Sequence, residues 1–406
     1  MIIVSHSGID RATAATGRSR DWATDRAPFP RVSPTGGDHD LAMTLTGADP
    51  ATVRRALSDG DPLPGTAGFA GAVDGRLVRD ILGRQPLFAE ADDHTTWSQD
   101  PRRLDRPERV PAGHVRDASG TDRVWWLPEP EPTDDAEEAV AAVRSAIDRS
   151  LSAVDTAGLA VAFSGGVDSA LLAARLDAPA YAVGFPDSHD REAAQSAAAR
   201  LGLDLRTVEL DHERLADTVP RVARATGRTN AMDVGIALPL FVLAERASAD
   251  GVDRLALGQG ADELFGGYAK VAGAHTDPRV EAETVRGARR ELLGTLPDQL
   301  ERDVLGLRAA GVEPVTPLLH DRVVRAALVL PGELLVTDRG DRKWALRLAA
   351  RDALPDRLAF REKKAVQYGS LAARELDRLA RRAGFKRHTG DHVRQYVEHR
   401  VAGTDG

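Results

Sequence analysis

The apolar positions of this chain fall into two kinds of run. Up to about residue 127 they form short stretches, such as Met1-Ile2-Ile3-Val4, Phe69-Ala70-Gly71-Ala72-Val73 and Pro86-Leu87-Phe88-Ala89, separated by Gly, Asp and Pro. Runs of that length between turn residues predict a mainly β region. Asp74-Gly75 stands between two of them as a hairpin turn, and the Arg-, Pro- and Gly-rich residues 17–38 predict a loop.

Prolines at 128, 130 and 132, interleaved with Glu129 and Glu131, then interrupt regular hydrogen bonding in a solvated segment. Asp134 or Asp135 is placed to cap a helix, on which Val140, Val143, Ile147 and Leu151 share one face. Alternation follows. Strands are predicted at 159–163, 181–185, 205–210 and 254–257. Helices are predicted from Ala170 and over 191–201, the latter with Asp190 as cap and Gly202 as stop. Strands and helices alternating at this length predict an α/β fold with a doubly wound, largely parallel sheet. After Tyr268 the pattern is mainly helical. The expected domains are 1–131, 132–370 and a basic helical tail, 371–406.

Between the first of these strands and its helix lies Ser164-Gly165-Gly166-Val167-Asp168-Ser169. A strand, a glycine turn and a helix start make an anion site, because free N–H groups and the helix dipole point at the ligand. Gly165 and Gly166 can take positive φ and let a phosphate approach the main chain. Ser164 and Ser169 add hydroxyls, and Asp168 can hold a cation that bridges phosphates. The Walker ending, Gly-Lys-Ser/Thr, is absent. The stretch resembles the Ser-Gly-Gly-x-Asp-Ser signature of the PP-loop ATP pyrophosphatases, which implies cleavage of ATP between its α and β phosphates.

Composition narrows the chemistry. None of the 406 residues is cysteine, which excludes disulfides, thiolate metal sites and cysteine nucleophiles. A net charge of −8 argues against nucleic acid as the main partner. The absence of a long apolar run or a secretory pattern leads to the expectation of a cytoplasmic protein without a membrane span. Lysine occurs only at 270, 343, 363, 364 and 386. His388, His392 and His399 lack the partners of a zinc site, the basic residues between Arg374 and Arg387 predict a solvated helix face, and Trp125-Trp126 is expected to pack an interface.

A second glycine loop, Gly258-Gln259-Gly260-Ala261-Asp262-Glu263-Leu264-Phe265-Gly266-Gly267-Tyr268, follows the fourth strand. With the first loop it resembles the asparagine synthetases, as do residues 182–190, 312–319 and 360–364. The resemblance covers about 136–370. It implies that Ala162, Val183 and the backbone at Leu257 and Gly258 surround the adenosine, and that Ser164, Gly165, Gly166, Asp168 and Ser169 hold the pyrophosphate. It implies Asp168 and Asp262 as magnesium ligands, and Lys363 as the catalytic lysine, with Asp262 and Gln259 also at the reacting end. The cofactors expected are therefore ATP and Mg2+. Gln259 departs from a family glutamate, and an amide cannot act as a base. Leu257 replaces a serine. Residues 229–239 differ from the family's aspartate-recognising stretch, and no arginine fork for an α-carboxylate is evident there.

The front region resembles an Ntn-type glutaminase at Phe69-Ala70-Gly71-Ala72-Val73, at residues 77–88 and at Val110-Pro111-Ala112-Gly113-His114. That domain needs a nucleophile as its first mature residue. Position 2 is Ile, and only Ser5 or Ser7 could serve after unusual processing, so a degenerate domain is expected, as in the β-lactam synthetases. The function expected is an ATP-dependent, AMP-forming amide ligase, with asparagine biosynthesis the nearest assignment. The alternatives are a ligase on a non-aspartate or tRNA-linked acid, and a regulatory protein that binds ATP without catalysis. The partners expected are a small carboxylate and ammonia or an amine donor. A separate amidotransferase subunit and a second copy of the chain are further candidates.

Overall fold

Among the described residues, eight short strands build the front of the molecule: β1 (Leu45–Thr46), β2 (Ala70–Val73), β3 (Arg76–Arg79), β4 (Phe88–Glu90), β5 (Asp93–Ser98), β6 (Pro107–Arg109), β7 (His114–Asp117) and β8 (Gly120–Arg123). They pair antiparallel in two sheets, in the orders β1-β2-β3-β7-β8 and β5-β4-β6. The β2–β3 hairpin turns at Asp74 (φ 52°) and Gly75 (φ 77°), the two positive-φ positions that a tight hairpin needs. A helix, α1 (Pro50–Asp59), stands among the strands. Asp49 caps it by accepting from Thr52 N, and Pro50 opens its first turn. The computed structural model describes residues 45–186, 188–274, 277–361, 368–386 and 391–403. The run at Met1–Val4, the loop at 17–38, Ser5, Ser7, Asp187 and His388 lie outside the described residues.

Past the proline segment, α2 (Ala136–Ser152) begins at Asp135, whose carboxylate accepts from Glu138 N at 2.9 Å, a cap worth about 1 kcal/mol. Val143, Ile147 and Leu151 are buried, while Val140 is half-buried. Then comes a five-stranded sheet, β9 (Leu159–Ala162), β10 (Ala180–Gly184), β11 (Leu205–Glu209), β12 (Arg254–Ala256) and β13 (Glu313–Val315), in the order β11-β10-β9-β12-β13 with every pair parallel. This is the doubly wound α/β sheet that the alternation predicts. Its fifth strand, β13, is three residues long and carries Pro314, so nothing in its apolar pattern announces it.

Helices α3 (Val167–Arg175), α4 (His189–Leu201), α5 (His212–Thr226) and α6 (Ala231–Ala249) connect the strands. Two predicted starts shift. α3 begins at Val167 rather than Ala170, because Gly166 already serves as its N-cap. α4 begins at His189 with Ser188 as cap, so Asp190 is a first-turn residue whose charge suits the helix dipole. Gly202 ends α4 at φ 66° as expected. Strand alternation sorts the core into two layers: Val161, Phe163 and Ala256 join one cluster with α2 and α3 residues, whereas Ala160, Ala162 and Leu255 join another with α5 and α6 residues.

Short helices complete the chain: α7 (Ala261–Phe265), α8 (Ala269–Ala272), α9 (Val285–Leu293), α10 (Leu296–Ala309), α11 (Asp321–Leu328), α12 (Gly332–Leu335), α13 (Trp344–Ala349), α14 (Asp356–Ala359), α15 (Tyr368–Arg382) and α16 (His392–Ala402). The last two pack Ala372, Leu376, Ala380, Val393, Tyr396 and Val397 into the α5–α6 layer. Residue 371 therefore falls inside a docked helix. Along α15, Arg378 pairs with Glu375 and Arg381 with Asp377, and His392 of α16 meets Asp377 at 2.8 Å. His392 thus has a carboxylate partner that its sequence neighbours do not reveal. No helix among the described residues is long and apolar enough to cross a membrane.

Buried ion pairs join the front strands to the helices behind them. Arg84 bridges Asp80 (2.8 Å) and Asp321 (2.7 Å), and all three side chains are almost fully enclosed. Asp321 also accepts from Gly65 N and Thr66 N, so its carboxylate is well satisfied. Arg79 and Arg109 both reach Glu301 on α10. Trp125 is buried edge-on to Phe69 with ring centroids 5.7 Å apart. Trp126, by contrast, is 60% exposed beneath Arg123, so only the first tryptophan packs the core.

Candidate active site

Both glycine loops leave neighbouring strands at the point where the strand order reverses. The chain passes from β9 to β10 on one side and returns to place β12 on the other, and Ala256 pairs with Val161. The segments after β9 and β12 therefore emerge side by side at the carboxyl edge of the sheet, where open α/β sheets bind their ligands.

In the first loop, Gly165 takes φ +71°, and a Cβ there would stand 2.9 Å from the carbonyl oxygen of Ala193 on α4. Only glycine fits. Gly166 has an ordinary φ of −79° and is needed instead as the N-cap of α3, where no side chain caps the first N–H groups. The Ser169 hydroxyl is buried and serves the loop itself: it accepts from Ser164 N at 3.1 Å and donates to Gly166 O at 3.2 Å. Ser164 Oγ accepts from Gly166 N at 3.4 Å. Ser169 is a brace that shapes the turn, while the uncapped start of α3 presents donors to an anion.

The second loop packs directly on the first. A Cβ at Gly258 would lie 2.8 Å from Asp168 Cβ. Gly260 (φ +86°) and Gly266 (φ +72°) bracket the short helix α7, which carries Asp262. Glu263 is buried and accepts from Tyr268 Oη at 2.5 Å, closing the loop on itself. Burial pushes the Glu263 carboxyl above its usual range, against the hydrogen bond from Tyr268.

Asp168 and Asp262 converge on one ammonium. Lys343 Nζ lies 2.6 Å from Asp168 Oδ2 and 2.9 Å from Asp262 Oδ1. Lys343 adopts φ 58° at the start of α13, an uncommon backbone for a residue with a side chain, and is buried. Burial alone would depress its ammonium, but the two carboxylates outweigh that and hold it above the ordinary lysine range. Gly267 leaves the necessary space, since a Cβ there would fall on Asp262 Oδ1 and Lys343 Cε. Sequence reasoning missed Lys343. The signal was its rarity, one of five lysines among 54 basic residues.

Gln259 looks the other way. Its Nε2 donates to Asp303 of α10, and its Oε1 is buried without a partner among the described residues. Asp303 is also held by Arg302, at 2.7 Å to Nε, and Arg302 reaches Asp233 on α6 at 2.9 Å. Burial pushes the Asp303 carboxyl upward, with Arg302 opposing. A glutamate at 259 would set a second carboxylate against it, so the amide is the side chain that Asp303 accommodates. Arg302 and Arg228, which lies 3.9 Å from Asp233, bring guanidinium groups to the start of α6 from outside 229–239. Both already face carboxylates.

The residues expected around adenosine, Ala162, Val183 and Leu257, are buried within the α5–α6 core layer. Leu257 in place of a serine is thus core packing, and its N–H donates to Val315 O at 2.9 Å. Lys363, expected as the catalytic lysine, lies outside the described residues, as does Lys364.

The donor set fits a magnesium nucleotide. Two carboxylates converge on one cation position with no third carboxylate or histidine assembled there among the described residues. Magnesium bound beside phosphates takes one or two carboxylates and draws its remaining oxygens from phosphate and water.

A family model described as asparagine synthase matches residues 141–286 and 271–401. A putative glutamine-hydrolysing asparagine synthetase 1 of Methanocaldococcus jannaschii is 33% identical over 259 residues, 55% of this chain and 48% of that protein. Asparagine synthetase B of Escherichia coli is 26% identical over 190 residues, 47% of this chain and 34% of that protein. The chain thus spans about half the length, or less, of these relatives. An NH3-dependent NAD synthetase structure from Campylobacter jejuni aligns over 34% of this chain and 62% of its own at 19% identity, with a TM-score of 0.24, a likeness too remote to carry weight.

Proposed function

The chain belongs to the asparagine synthase family, and from that premise we propose that it is an ATP-dependent, AMP-forming amide ligase. The observation that carries the reading is the convergence of Asp168 and Asp262, from loops 94 residues apart, on one cation position beside the uncapped start of α3. The N–H groups at the start of α3 and the Ser164 hydroxyl bind the pyrophosphate end of ATP. Asp168 and Asp262 would hold Mg2+, which supplies charge neutralisation at the phosphates.

Lys343 bridges the two carboxylates, screens their mutual repulsion and fixes their direction. Lys363 takes the role of a point charge that offsets the negative charge growing on the α-phosphate and acyl oxygen as a carboxylate displaces pyrophosphate. Ammonia or an amine then attacks the acyl-adenylate, forming the amide and releasing AMP. The chain has no cysteine for a glutaminase of its own, so nitrogen comes as ammonia, from a separate amidotransferase or from the substrate. Asparagine formation from aspartate is the nearest assignment.

One observation favours a different acceptor acid. Arg302 is engaged by Asp233 and Asp303 together, which leaves its fork already filled at the start of α6. A free α-carboxylate therefore finds no open fork on Arg302, which favours an acid recognised without that arginine. Pyrophosphate exchange into ATP, run over a panel of amino acids and other carboxylates with and without ammonia, tests both readings. Exchange should appear with at least one acid and vanish in Lys363→Ala; full exchange in that variant overturns the mechanism. Aspartate as the sole active acid removes the second reading.

A further inference from the structure

Helix α9 carries Arg286, Arg289 and Arg290, whose spacing of three and four places them on one face. Arg290 donates to the carbonyls of Leu127 (2.9 Å) and Pro128 (3.3 Å), and Arg286 donates to Pro130 O at 2.6 Å. Arg289 donates to Ala327 O at 2.6 Å and Leu328 O at 3.2 Å, at the end of α11. These acceptors are neutral carbonyls. Among the described residues the carboxylate paired with this cluster is Glu129, 3.5 Å from Arg290 and itself 70% exposed. The carbonyl end of α11 contributes a partial negative charge of only about half an electron.

Two donors are left over. The Nε atoms of Arg286 and Arg289 are buried and lack a hydrogen-bond partner among the described residues, and Arg289 as a whole is 3% exposed. Both side chains line one cavity of ≈ 10 Å³ against Pro128, Glu129 and Pro130. That is room for a single small occupant, a water or a monatomic ion. Burial, reinforced by the charges of Arg286 and Arg290 and opposed by Glu129, pushes Arg289 down to about 10.

We propose that this cavity is a halide site, in which one chloride bound by Arg286 and Arg289 completes the clamp that holds the proline segment on α9. A phosphate is too large for the space. A water could accept both hydrogen bonds but, being neutral, would leave the exposed Glu129 as the paired carboxylate against three guanidinium groups.

The direct test is a crystal of the full chain soaked in bromide, with anomalous scattering measured at the cavity. A bromide peak beside Arg286 and Arg289 is expected; a full-strength data set with water density alone overturns the site. In solution, the melting midpoint should rise by a few degrees and saturate with sodium chloride, measured against sodium gluconate at equal ionic strength. Arg289→Gln should lose that dependence. If that variant does not fold, Glu129→Ala supplies the answer. Removing the competing carboxylate should lower the half-saturating chloride by up to about fivefold, the factor equivalent to an exposed ion pair of ~1 kcal/mol. Equal midpoints in chloride and gluconate for both the parent and Glu129→Ala overturn the proposal.

Discussion

Lys343 and Asp168 stand 175 residues apart in the chain, yet the ammonium and the carboxylate are 2.6 Å apart at the carboxyl edge of the sheet. The pair marks where a cation is wanted. Lys343→Met leaves Asp168 and Asp262 facing each other without one. Losing one partner of an enclosed ion pair costs about 3 kcal/mol here, at the low end of the usual range because Asp262 is 39% exposed and partly screened. Added magnesium should recover part of that loss, seen as a larger magnesium-dependent rise in melting midpoint than the parent shows. A variant as stable as the parent without magnesium contradicts this account of the site.

Gln259→Glu tests the explanation offered for the departure at that position. The new carboxylate would meet buried Asp303, whose own carboxyl already sits above its usual range because of burial. An acid with a raised folded pKa loses stability as pH climbs from its unfolded value toward its folded one. The variant should therefore be about 1–3 kcal/mol less stable than the parent at pH 7, with the gap closing as pH falls to 5. Urea titrations at the two pH values measure it, and a constant gap argues against the pairing.

Asp321 receives Arg84 and two backbone N–H groups from residues 65 and 66. Asp321→Ala strands the enclosed Arg84 guanidinium and should destabilise the chain by about 3–5 kcal/mol. Limited proteolysis should then cut first near 65–84. Cleavage confined to the region after residue 368 would show that the weld lies elsewhere.

His320 caps α11, with Nδ1 accepting from Arg322 N at 3.2 Å. Burial, aided by the charge of Arg322, pushes it down to about 4. A base with a depressed folded pKa contributes stability above its unfolded value of about 6.5 and loses it as pH falls toward 4. His320→Asn keeps a capping side chain without the titration. Its stability should change less between pH 7 and pH 5 than the parent's does, which chemical denaturation resolves. Parallel curves contradict the assignment.

The division between legible and hidden features follows the range of the interactions. The Asp74-Gly75 hairpin, the Asp135 cap, the Gly202 stop and the strand–turn–helix at Ser164–Ser169 each depend on contacts within a few residues. Residue type alone specifies them. The start of α4 was misplaced because Ser188 and Asp190 could both act as caps, and that of α3 because its cap, Gly166, carries no side chain to mark it. β13 was hidden because a three-residue parallel strand carries too little pattern to stand out.

The amino-acid sequence by itself determined the α/β class, the two glycine loops and the exclusion of cysteine chemistry. Only the tertiary structure decided that Lys343 joins Asp168 and Asp262, that Gln259 turns to Asp303, and that Arg84 locks onto Asp321. The reason is electrostatic. A chain with 54 lysine and arginine and 62 aspartate and glutamate residues offers many plausible pairs. A charge does not specify its partner until the sheet order and helix packing bring one within reach and remove the water between them.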